Sequence, residues 1–233
     1  MKIALLGYGK MGKTIETIAL SRGHEIVIKT SKTITSEIIK ADIAIDFSVP
    51  TAAFGNISNC ILNNVPVISG TTGWLNNYNK IVDLCKQRKG AFIYASNFSL
   101  GVNIFFELNK TLAKMMSTLE DYDVALEEIH HTQKLDAPSG TAITLAEGIV
   151  ENHNSFHSWQ LDGNKDKVLP IIAKRIENVP GTHNITYKSE IDTIKIEHIA
   201  HNRHGFALGA VIAAEWLVKK TGVFTMKDVL NIG

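Results

Sequence analysis

Two adjacent histidines and a nearby lysine are the residues of this chain best suited to chemistry. His130 and His131 precede Lys134 by only a few positions. Imidazole groups exchange protons near neutral pH, and an ammonium group attracts anions, so the three side chains together can serve proton transfer to an anionic ligand. The segment is therefore the predicted chemical site, although a histidine pair can also be a structural accident.

A helix with an anion-binding start is predicted directly after the histidines. Its apolar positions recur with helical spacing at Ala142, Leu145, Ala146, Ile149 and Val150. Ser139 is the expected N-cap, which leaves the amides of Gly140 and Thr141 without partners inside the helix and at the positive end of its dipole. A carboxylate or phosphate is the expected guest, and the alternative is a cap that binds nothing.

The histidines themselves are predicted to lie where a strand becomes a loop. Residues 122–129 are rich in apolar and β-capable side chains and end at the histidine pair, as a buried strand would. Strand, loop and helix then place Lys134 and the histidines near the helix start.

The N-terminus carries a dinucleotide fingerprint. A short apolar run at residues 2–6 leads into a glycine loop, and an apolar-periodic helix follows to about Ser21. The loop consists of Gly7, Tyr8, Gly9, Lys10, Met11 and Gly12. Gly7 permits the tight turn, Gly9 lets the backbone approach a pyrophosphate, and Gly12 lets the helix pack on the strand. The loop is the predicted cofactor site, with a plain tight turn as the alternative.

The residues after the second strand bear on the choice of cofactor. This strand, at residues 25–28, should end beside the adenine ribose, where an NAD-specific site usually places a carboxylate. The sequence has Lys29 and Lys32 there instead. Two cations favour a 2′-phosphate, so the expected cofactor is NADPH, with NADH second and Lys29 as a contact. A solvated loop with ordinary lysines is the alternative.

Alternating strands and helices continue through the first hundred residues. Strands are predicted at residues 43–47, 65–69 and 91–95, and helices at 51–63 and 74–86. Repeated units of this length form a parallel, doubly wound α/β sheet whose ligands bind at the carboxyl ends of the strands. The loops at that edge supply further predicted cofactor contacts: Gly70, Thr71, Thr72, Ala95, Ser96, Asn97 and Phe98. Turn chemistry alone would also explain these loops.

After residue 100 the pattern changes and predicts a smaller α+β unit. The predicted elements are a helix to about Met116, the strand that ends at His130, the helix at 139–150, a polar loop at 153–167, and strands at 171–177, 185–191 and 194–199 with a hairpin turn at Asp192 and Thr193. A helix at 209–220 and a short capped helix after Thr225 are expected to return to the first lobe. The predicted domains are a dinucleotide-binding domain at 1–100, completed by 204–233, and a substrate-binding and oligomerisation domain at 101–203.

Composition limits the classes of partner. The chain has 233 residues, a hydrophobic content of 45%, a charged content of 20% and a net charge of +1. These values are typical of a globular protein without general attraction for nucleic acid or anionic membrane. No signal peptide and no membrane span is expected. Cys60 and Cys85 fit no metal or redox spacing and are expected to be reduced core thiols of a cytoplasmic protein.

A group of histidines raises the alternative of a metal site. The candidates are His183, His198, His201 and His204. The last three are spaced by three residues, and side chains at that spacing do not share one face of a strand. No carboxylate or cysteine completes the set, so no metal is predicted.

Taken together, the motifs resemble one enzyme family. The run from Glu128 to Ala142, with His-His, Lys, Asp-Ala-Pro and Ser-Gly-Thr at fixed spacing, resembles the 4-hydroxy-tetrahydrodipicolinate reductases of bacterial lysine and diaminopimelate biosynthesis. The glycine loop, Gly-Thr-Thr-Gly at 70–73 and Ala-Ser-Asn-Phe-Ser at 95–99 resemble the same family. Later matches are Gly181, His183, His198 and Arg203.

The resemblance implies a reaction and roles for the residues. The family reduces a cyclic dicarboxylate with hydride from NADH or NADPH. The motif makes His130 the acid that protonates the carbanion left by hydride addition, and Lys134 the second proton donor. The implied carboxylate contacts are His131, Ser139, Gly140 and Thr141. A homotetramer is implied as well.

Two other functions stay open at the level of the sequence. One is a different nicotinamide-dependent imine or amino-acid dehydrogenase built on the same first lobe. The other is a dinucleotide-binding protein without turnover, which would have no need of His130 and Lys134 together. The departure at Lys29, where some members of the family carry an acidic residue, favours NADPH.

Overall fold

The computed structural model describes residues 1–32, 36–163, 165–202 and 204–232. Two compact units are present: Met1–Leu100 with His204–Gly233, called the first unit, and Gly101–Arg203, called the second. Arg203, matched by the resemblance, lies outside the described residues. Within the described part, none of the helices has both the length and the apolar character needed to cross a membrane.

The strands and helices have the following bounds. The strands are β1 (Lys2–Leu6), β2 (Glu25–Thr30), β3 (Ile43–Asp46), β4 (Val67–Ser69), β5 (Ala91–Tyr94), β6 (Asp123–His130), β7 (Ser158–Leu161), β8 (Val168–Arg175), β9 (Gly181–Lys188), β10 (Thr193–Ala200) and β11 (Gly222–Phe224). The α-helices are α1 (Lys10–Ser21), α2 (Pro50–Leu62), α3 (Tyr78–Arg88), α4 (Leu100–Met116), α5 (Gly140–Val150), α6 (His204–Leu217) and α7 (Met226–Leu230). Short 3-10 helices span Ser36–Lys40 and Leu75–Asn77.

The first unit is built on a six-stranded sheet in the order β11-β5-β4-β3-β1-β2. Every neighbouring pair of strands runs parallel. One core cluster packs α1 and α6 on the sheet, and another packs α2 and α3 on it, with Cys60 and Cys85 buried as free thiols. A parallel sheet covered on both faces needs apolar strands throughout, which explains the continuous apolar runs in β1 and β3. The predicted doubly wound, Rossmann-type sheet is confirmed.

The second unit is built on a mixed five-stranded sheet in the order β10-β9-β6-β8-β7. β6 runs parallel to β8 and antiparallel to β9. Side chains alternate along β6, so Leu126, Glu128 and His130 share the buried face. Helices α4 and α5 contribute to the core on this face. The predicted α+β character of this unit is confirmed.

The polar segment at residues 153–167 is not one loop, and that prediction is wrong. It contains the edge strand β7, whose Trp159 and Leu161 pack against the core of the second unit. The other strand that the sequence pattern misses is β11, with only three residues. Both are short edge strands, which have too few apolar positions to show a period of two.

The turn between β9 and β10 also differs from the prediction. Thr193 already pairs with Lys188, so the connection spans residues 189–192 and is not a two-residue turn at Asp192 and Thr193. Ser189 Oγ accepts hydrogen bonds from the amides of Ile191 and Asp192 at 3.1 and 3.2 Å. A serine that replaces backbone partners in this way stabilises the longer turn.

Helix α6 runs from His204 to Leu217 instead of the predicted 209–220. Gly209 lies inside the helix because the helix passes closely over the backbone of Phe98. A Cβ added at Gly209 would lie 1.8 Å from the Phe98 carbonyl oxygen. This glycine therefore marks close packing and not a helix boundary.

A buried carboxylate organises the carboxyl edge of the first sheet. Asp46, at the end of β3, is fully buried. It accepts hydrogen bonds from the hydroxyls of Ser48, Ser69 and Thr71 at 2.7 to 2.8 Å, and from Asn56 Nδ2 at 3.0 Å. These donors belong to the ends of β3 and β4, the loops that follow them, and α2. Asp46 therefore ties three loop and helix segments to one point of the sheet.

Replacing this carboxylate should be costly. In the variant Asp46→Ala three buried donors and the half-buried Ser48 lose their acceptor, and we expect the free energy of unfolding to fall by about 3 kcal/mol or more. Urea unfolding at pH 7 measures the change. Asp83→Ala, at an exposed position of α3, is the matched control and should change stability by no more than about 0.5 kcal/mol. Equal, small losses in both variants would show that the Asp46 network adds little to stability.

Candidate active site

The glycine loop has the geometry that close backbone packing requires. Gly7 has φ of +96°, and a Cβ there would lie 2.0 Å from the Phe47 carbonyl oxygen. A Cβ at Gly12 would lie 2.3 Å from the Gly7 carbonyl oxygen. At Gly9, by contrast, nothing lies within 4 Å of an added Cβ. The first and third glycines are therefore required by packing, while the second borders open space at the N-terminus of α1.

A cavity of about 540 Å³ adjoins this loop. It is lined by residues 7–9, by residues 30–32 at the end of β2, and by residues 47–49 between β3 and α2. The N-cap residue of α1 is Gly9, which has no side chain to cap the helix, and the first turn carries no acidic residue. Free amides, a positive helix end and absence of a competing carboxylate in that turn suit a pyrophosphate. The residues present therefore fit the phosphate part of a dinucleotide.

The two lysines after the glycine loop have different surroundings. Lys29 forms an ion pair with Glu16 of α1, and its Nζ lies 5.4 Å from the centre of the Tyr8 ring. Tyr8 also donates its hydroxyl hydrogen to Glu16. The hydrogen bond from Lys29 lowers the pKa of Glu16, and Glu16 in turn raises the pKa of Lys29. Among the described residues, the cation that lines the cavity is Lys32, and Lys29 is already paired.

The Gly-Thr-Thr-Gly loop is partly committed to structure. A Cβ at Gly70 would lie 2.3 Å from the Phe47 ring. Thr71 is buried, and its hydroxyl donates to Asp46 and accepts the amide hydrogen of Ser48 at 2.9 Å. Thr72 and Gly73 are exposed. The structure thus turns the Thr71 side chain inward and leaves Thr72 at the surface.

The loop after β5, like the Gly-Thr-Thr-Gly loop, uses some of its side chains for packing and hydrogen bonds within the first unit. Ala95 extends the pairing with β4 through its amide, which donates to a β4 carbonyl at 3.2 Å. Asn97 is buried and its Oδ1 accepts the amide hydrogen of Ser99 at 2.8 Å. Phe98 is buried in the core of the first unit, whereas Ser96 is exposed. Of these predicted contacts, Ser96 is the side chain most open to a ligand.

In the second unit, strand pairing brings other ionisable side chains close to His130. Alternation along β6 puts Glu128 and His130 on the same face. The register places His183 of β9 opposite Glu128, and Arg175 of β8 opposite His130. His130 Nδ1 lies 3.2 Å from Glu128 Oε2, and the His130 and His183 rings meet edge to face with centres 5.2 Å apart.

Glu128 is the centre of this group. Its carboxylate accepts the Ser139 amide hydrogen at 3.1 and 3.2 Å, and Arg175 Nη2 lies 3.2 Å from Oε1. Burial raises the pKa of this carboxyl, but the contacts with His130 and Ser139 outweigh burial and hold the pKa at about 2. Although the side chain is fully buried, this low pKa means that it is ionised at neutral pH.

His183 is neutral beside this anion. Burial and the nearby His130 lower its pKa to about 3. Its Nε2 lies 3.2 Å from Ser139 Oγ, which also accepts the Ala142 amide hydrogen as the predicted N-cap of α5. Gly140 and Thr141 form the first turn of that helix. The structure thus places both Ser139 and His130 in contact with the carboxylate of Glu128.

The other two predicted residues lie in the following turn. His131 borders a cavity of about 570 Å³ that is also lined by Pro180 and Asn202. Its Nδ1 is buried without a hydrogen-bond partner. Lys134 Nζ pairs with both carboxylate oxygens of Asp136 at 2.7 and 2.8 Å. His131 therefore borders open space, whereas the ammonium group of Lys134 is held by Asp136.

One group of possible metal ligands occurs within the described part of the chain. It consists of Glu128, His130 and His183, whose ligand atoms all lie within 4.8 Å of one another. Arg175 and the Ser139 amide already donate to the carboxylate. A guanidinium group at that distance repels a second cation, so the set does not suit a resident metal. The sequence histidines His201 and His204 are not part of this group.

Sequence reasoning missed Glu128, Arg175 and Asp46 as parts of the two sites. A signal existed for Glu128, because it lies two residues before His130 on a strand and must share its face. Arg175 gives no such signal, since its proximity follows from the pairing of β6 with β8.

A glycine loop of this geometry at the first turn of a parallel sheet, in one chain with a histidine beside an ionised carboxylate, is typical of nicotinamide-dependent oxidoreductases. The chain belongs to the dihydrodipicolinate reductase family. The model of the family's N-terminus matches residues 1–98, and the model of its C-terminus matches residues 101–230.

Individual relatives agree with this assignment. A 4-hydroxy-tetrahydrodipicolinate reductase from Christiangramia forsetii is 60% identical over 99% of this chain and 98% of its own length. The enzyme of the same name from Thermosipho africanus is 35% identical, again over 99% and 98%. Among solved structures, a dipicolinate-bound dihydrodipicolinate reductase from a Paenisporosarcina species has a TM-score of 0.80 at 24% identity and covers 97% of each chain. That likeness shows the fold.

The buried His183 should make stability depend on pH. Its pKa is depressed in the folded chain, so the unfolded chain binds the proton first as the pH falls below 6.5, and stability is lost between pH 6.5 and about 3. For a pKa shift from 6.5 to about 3, the loss between pH 7 and pH 5 is about 2 kcal/mol. His183→Gln should remove this part of the loss in urea unfolding at the two pH values.

The exposed His157 provides the control, and His157→Gln should keep the full pH dependence. An undiminished loss in His183→Gln would mean that this histidine is not held neutral in the folded chain.

Proposed function

We propose that this chain reduces 4-hydroxy-tetrahydrodipicolinate to tetrahydrodipicolinate and water with NAD(P)H, in lysine and diaminopimelate biosynthesis. The observation that carries the proposal is His130, held beside ionised Glu128 at the end of β6. The proposal agrees with the name of the Christiangramia forsetii relative, a 4-hydroxy-tetrahydrodipicolinate reductase that is 60% identical to this chain.

His130 is the proton donor of the proposed reaction. The bound nicotinamide supplies hydride, which leaves an enamine-like carbanion on the neighbouring carbon of the substrate. Because Nδ1 faces Glu128, Nε2 is the atom that gives the proton. A Cβ at Gly181 would lie 3.0 Å from Nε2, so a glycine at this position leaves room beside the donor atom.

The remaining residues of the motif bind the dicarboxylate. His131 and the first turn of α5, with Ser139, Gly140 and Thr141, are proposed to hold one carboxylate, favoured by the positive end of the helix. Lys134 is proposed as the second proton donor and as a cationic partner of the substrate. Since Asp136 now holds its ammonium group, a substrate carboxylate would take the place of Asp136.

Turnover tests the function directly. With NADPH and enzymatically generated hydroxy-tetrahydrodipicolinate, His130→Gln and Lys134→Ala should each lower kcat by about 10²-fold or more, because each removes a proton donor. Lys114→Ala, at an exposed position of α4, should leave kcat unchanged. NADPH consumption is followed by absorbance.

Two results would favour the other candidates. Reduction of a different imine or oxo acid in place of this substrate would make the chain another dehydrogenase. Tight NADPH binding without any turnover would make it a dinucleotide-binding protein.

The preference for NADPH is proposed to come from Lys29, near the end of β2, and Lys32, just after it. Lys32 lines the cavity beside the glycine loop and takes no part in the ion pair between Lys29 and Glu16. A 2′-phosphate would therefore contact Lys32, and Lys29 would contribute only after its ion pair with Glu16 has broken. The other predicted contacts, in the glycine loop and in the loops after β4 and β5, remain proposals of the same kind.

Paired variants separate the two lysines. Lys32→Gln should lower the ratio of NADPH to NADH affinity by about tenfold, because one charge-assisted phosphate contact is lost. Lys29→Gln should lower it less, because Glu16 already holds that ammonium group. Binding of each cofactor to the full chain by calorimetry gives the ratio. A larger effect at Lys29 would reverse the assignment, and no effect at either position would leave the preference unsupported.

Domain roles, assembly and location are proposed on the same basis. The first unit is the dinucleotide-binding domain, and the second binds substrate and forms a homotetramer, as the family resemblance implies. Ile172 and Ile199 are exposed on the sheet face that alternates away from the core, which supports association there. A mass by light scattering other than four times the 25.6 kDa chain would overturn the tetramer. The free thiols of Cys60 and Cys85 support a cytoplasmic location.

A further inference from the structure

We propose that Glu128 is the positioning residue for His130, which selects the imidazole nitrogen that donates the proton and ties the donor to the anion-binding start of α5. The kinetic part of this inference rests on the proposed function. The structural part concerns only the contact between the two side chains.

The first argument is where the partners of Glu128 come from. The carboxylate is fully buried and meets His130 from its own strand, His183 from β9, Arg175 from β8 and the amide of Ser139 at the start of α5. Arg175 alone would suffice to neutralise the charge. The contacts with His130 and Ser139 instead connect the proton donor to the helix start.

The second argument is the choice of tautomer. An anionic oxygen 3.2 Å from His130 Nδ1 favours hydrogen on that nitrogen. The neutral ring is then open at Nε2, and the protonated ring, stabilised by the carboxylate, gives up its proton from Nε2. Nδ1 has no aligned hydrogen-bond partner in the structure, so a rotation of the ring toward Oε2 completes the contact.

The third argument concerns the other charges that face His130. Besides Glu128, these are Arg175 at the paired position of β8, His183 on β9 and, in the following turn, Lys134 with its partner Asp136. His183 is neutral at pH 7 because its pKa is lowered to about 3. Arg175 and Lys134 are cations and disfavour a charged imidazole. Glu128 is therefore the neighbour that stabilises the protonated form of the donor.

The test uses the full-length variant Glu128→Gln with NADPH and substrate. We expect kcat to fall about 10²-fold with KM changed less than about threefold, because proton donation is impaired and substrate binding is not. The solvent deuterium isotope effect on kcat should rise, and the effect of deuterated NADPH should fall, because protonation becomes rate-limiting. Glu147→Gln, at an exposed position of α5, should match the unaltered chain.

Nitrogen NMR of His130 gives a readout that does not need turnover. In the unaltered chain we expect the neutral ring to carry hydrogen on Nδ1, and in Glu128→Gln a mixture of tautomers. Glu128→Asp keeps the charge and should recover part of both kcat and the tautomer preference.

Folding is controlled by a second variant. Glu128→Gln leaves the half-buried Arg175 without its anion, so Glu128→Gln combined with Arg175→Met restores the charge balance. Cooperative urea unfolding of this double variant, with kcat still low and mixed tautomers, would support positioning.

Two outcomes would overturn the inference. One is an unchanged kcat and tautomer in Glu128→Gln; the other is a lowered kcat with unchanged tautomer and isotope effects, which would make Glu128 purely structural. Failure of the unaltered chain to turn over the substrate would instead reject the proposed function, and the NMR result would still decide whether Glu128 orients His130.

Discussion

The buried charge of Glu128 is the constraint on which the second unit depends. A carboxylate removed from water is costly unless it is both paired and hydrogen-bonded. Its partners here come from β6, β8, β9 and the start of α5. None of these elements can move alone without leaving the charge unsatisfied. The same charge therefore stabilises the local fold and holds together the two parts of the proposed site, His130 and the start of α5.

Asp46 of the first unit is also fully buried but is satisfied in another way. Its partners are three hydroxyls and one amide, all of them neutral. Neutral donors fix the loops around a carboxylate without bringing in a group that exchanges protons near neutral pH. Glu128, in contrast, is surrounded by two histidines and an arginine. The surroundings of the two carboxylates thus distinguish a scaffold from a site suited to proton transfer.

The end of β2 separates the surroundings of Lys29 and Lys32. Lys29 belongs to β2 and pairs with Glu16 of α1. Lys32 comes after the strand has ended and borders the cavity. Charge alone made both lysines equivalent candidates for a phosphate contact. The two lysines differ because Glu16 already pairs with Lys29, whereas Lys32 borders the cavity.

The sequence by itself determined the features that depend on near neighbours in the chain. Gly7 and Gly12 are required within a single strand-turn-helix segment, Ser139 caps the helix that it begins, and His130 ends a strand with a period of two. These local requirements are visible in residue type and spacing. They were sufficient to indicate the Rossmann-type sheet and the family.

Only the tertiary structure decided which side chains meet across the sheet. Arg175 and His183 reach Glu128 through strand register, across sequence separations that no local period describes. The inward turn of Thr71 onto Asp46 and the short edge strand β7 also depend on contacts between distant segments. Strand pairing is set by the burial of whole faces and by the satisfaction of buried charges, and both are properties of the assembled unit.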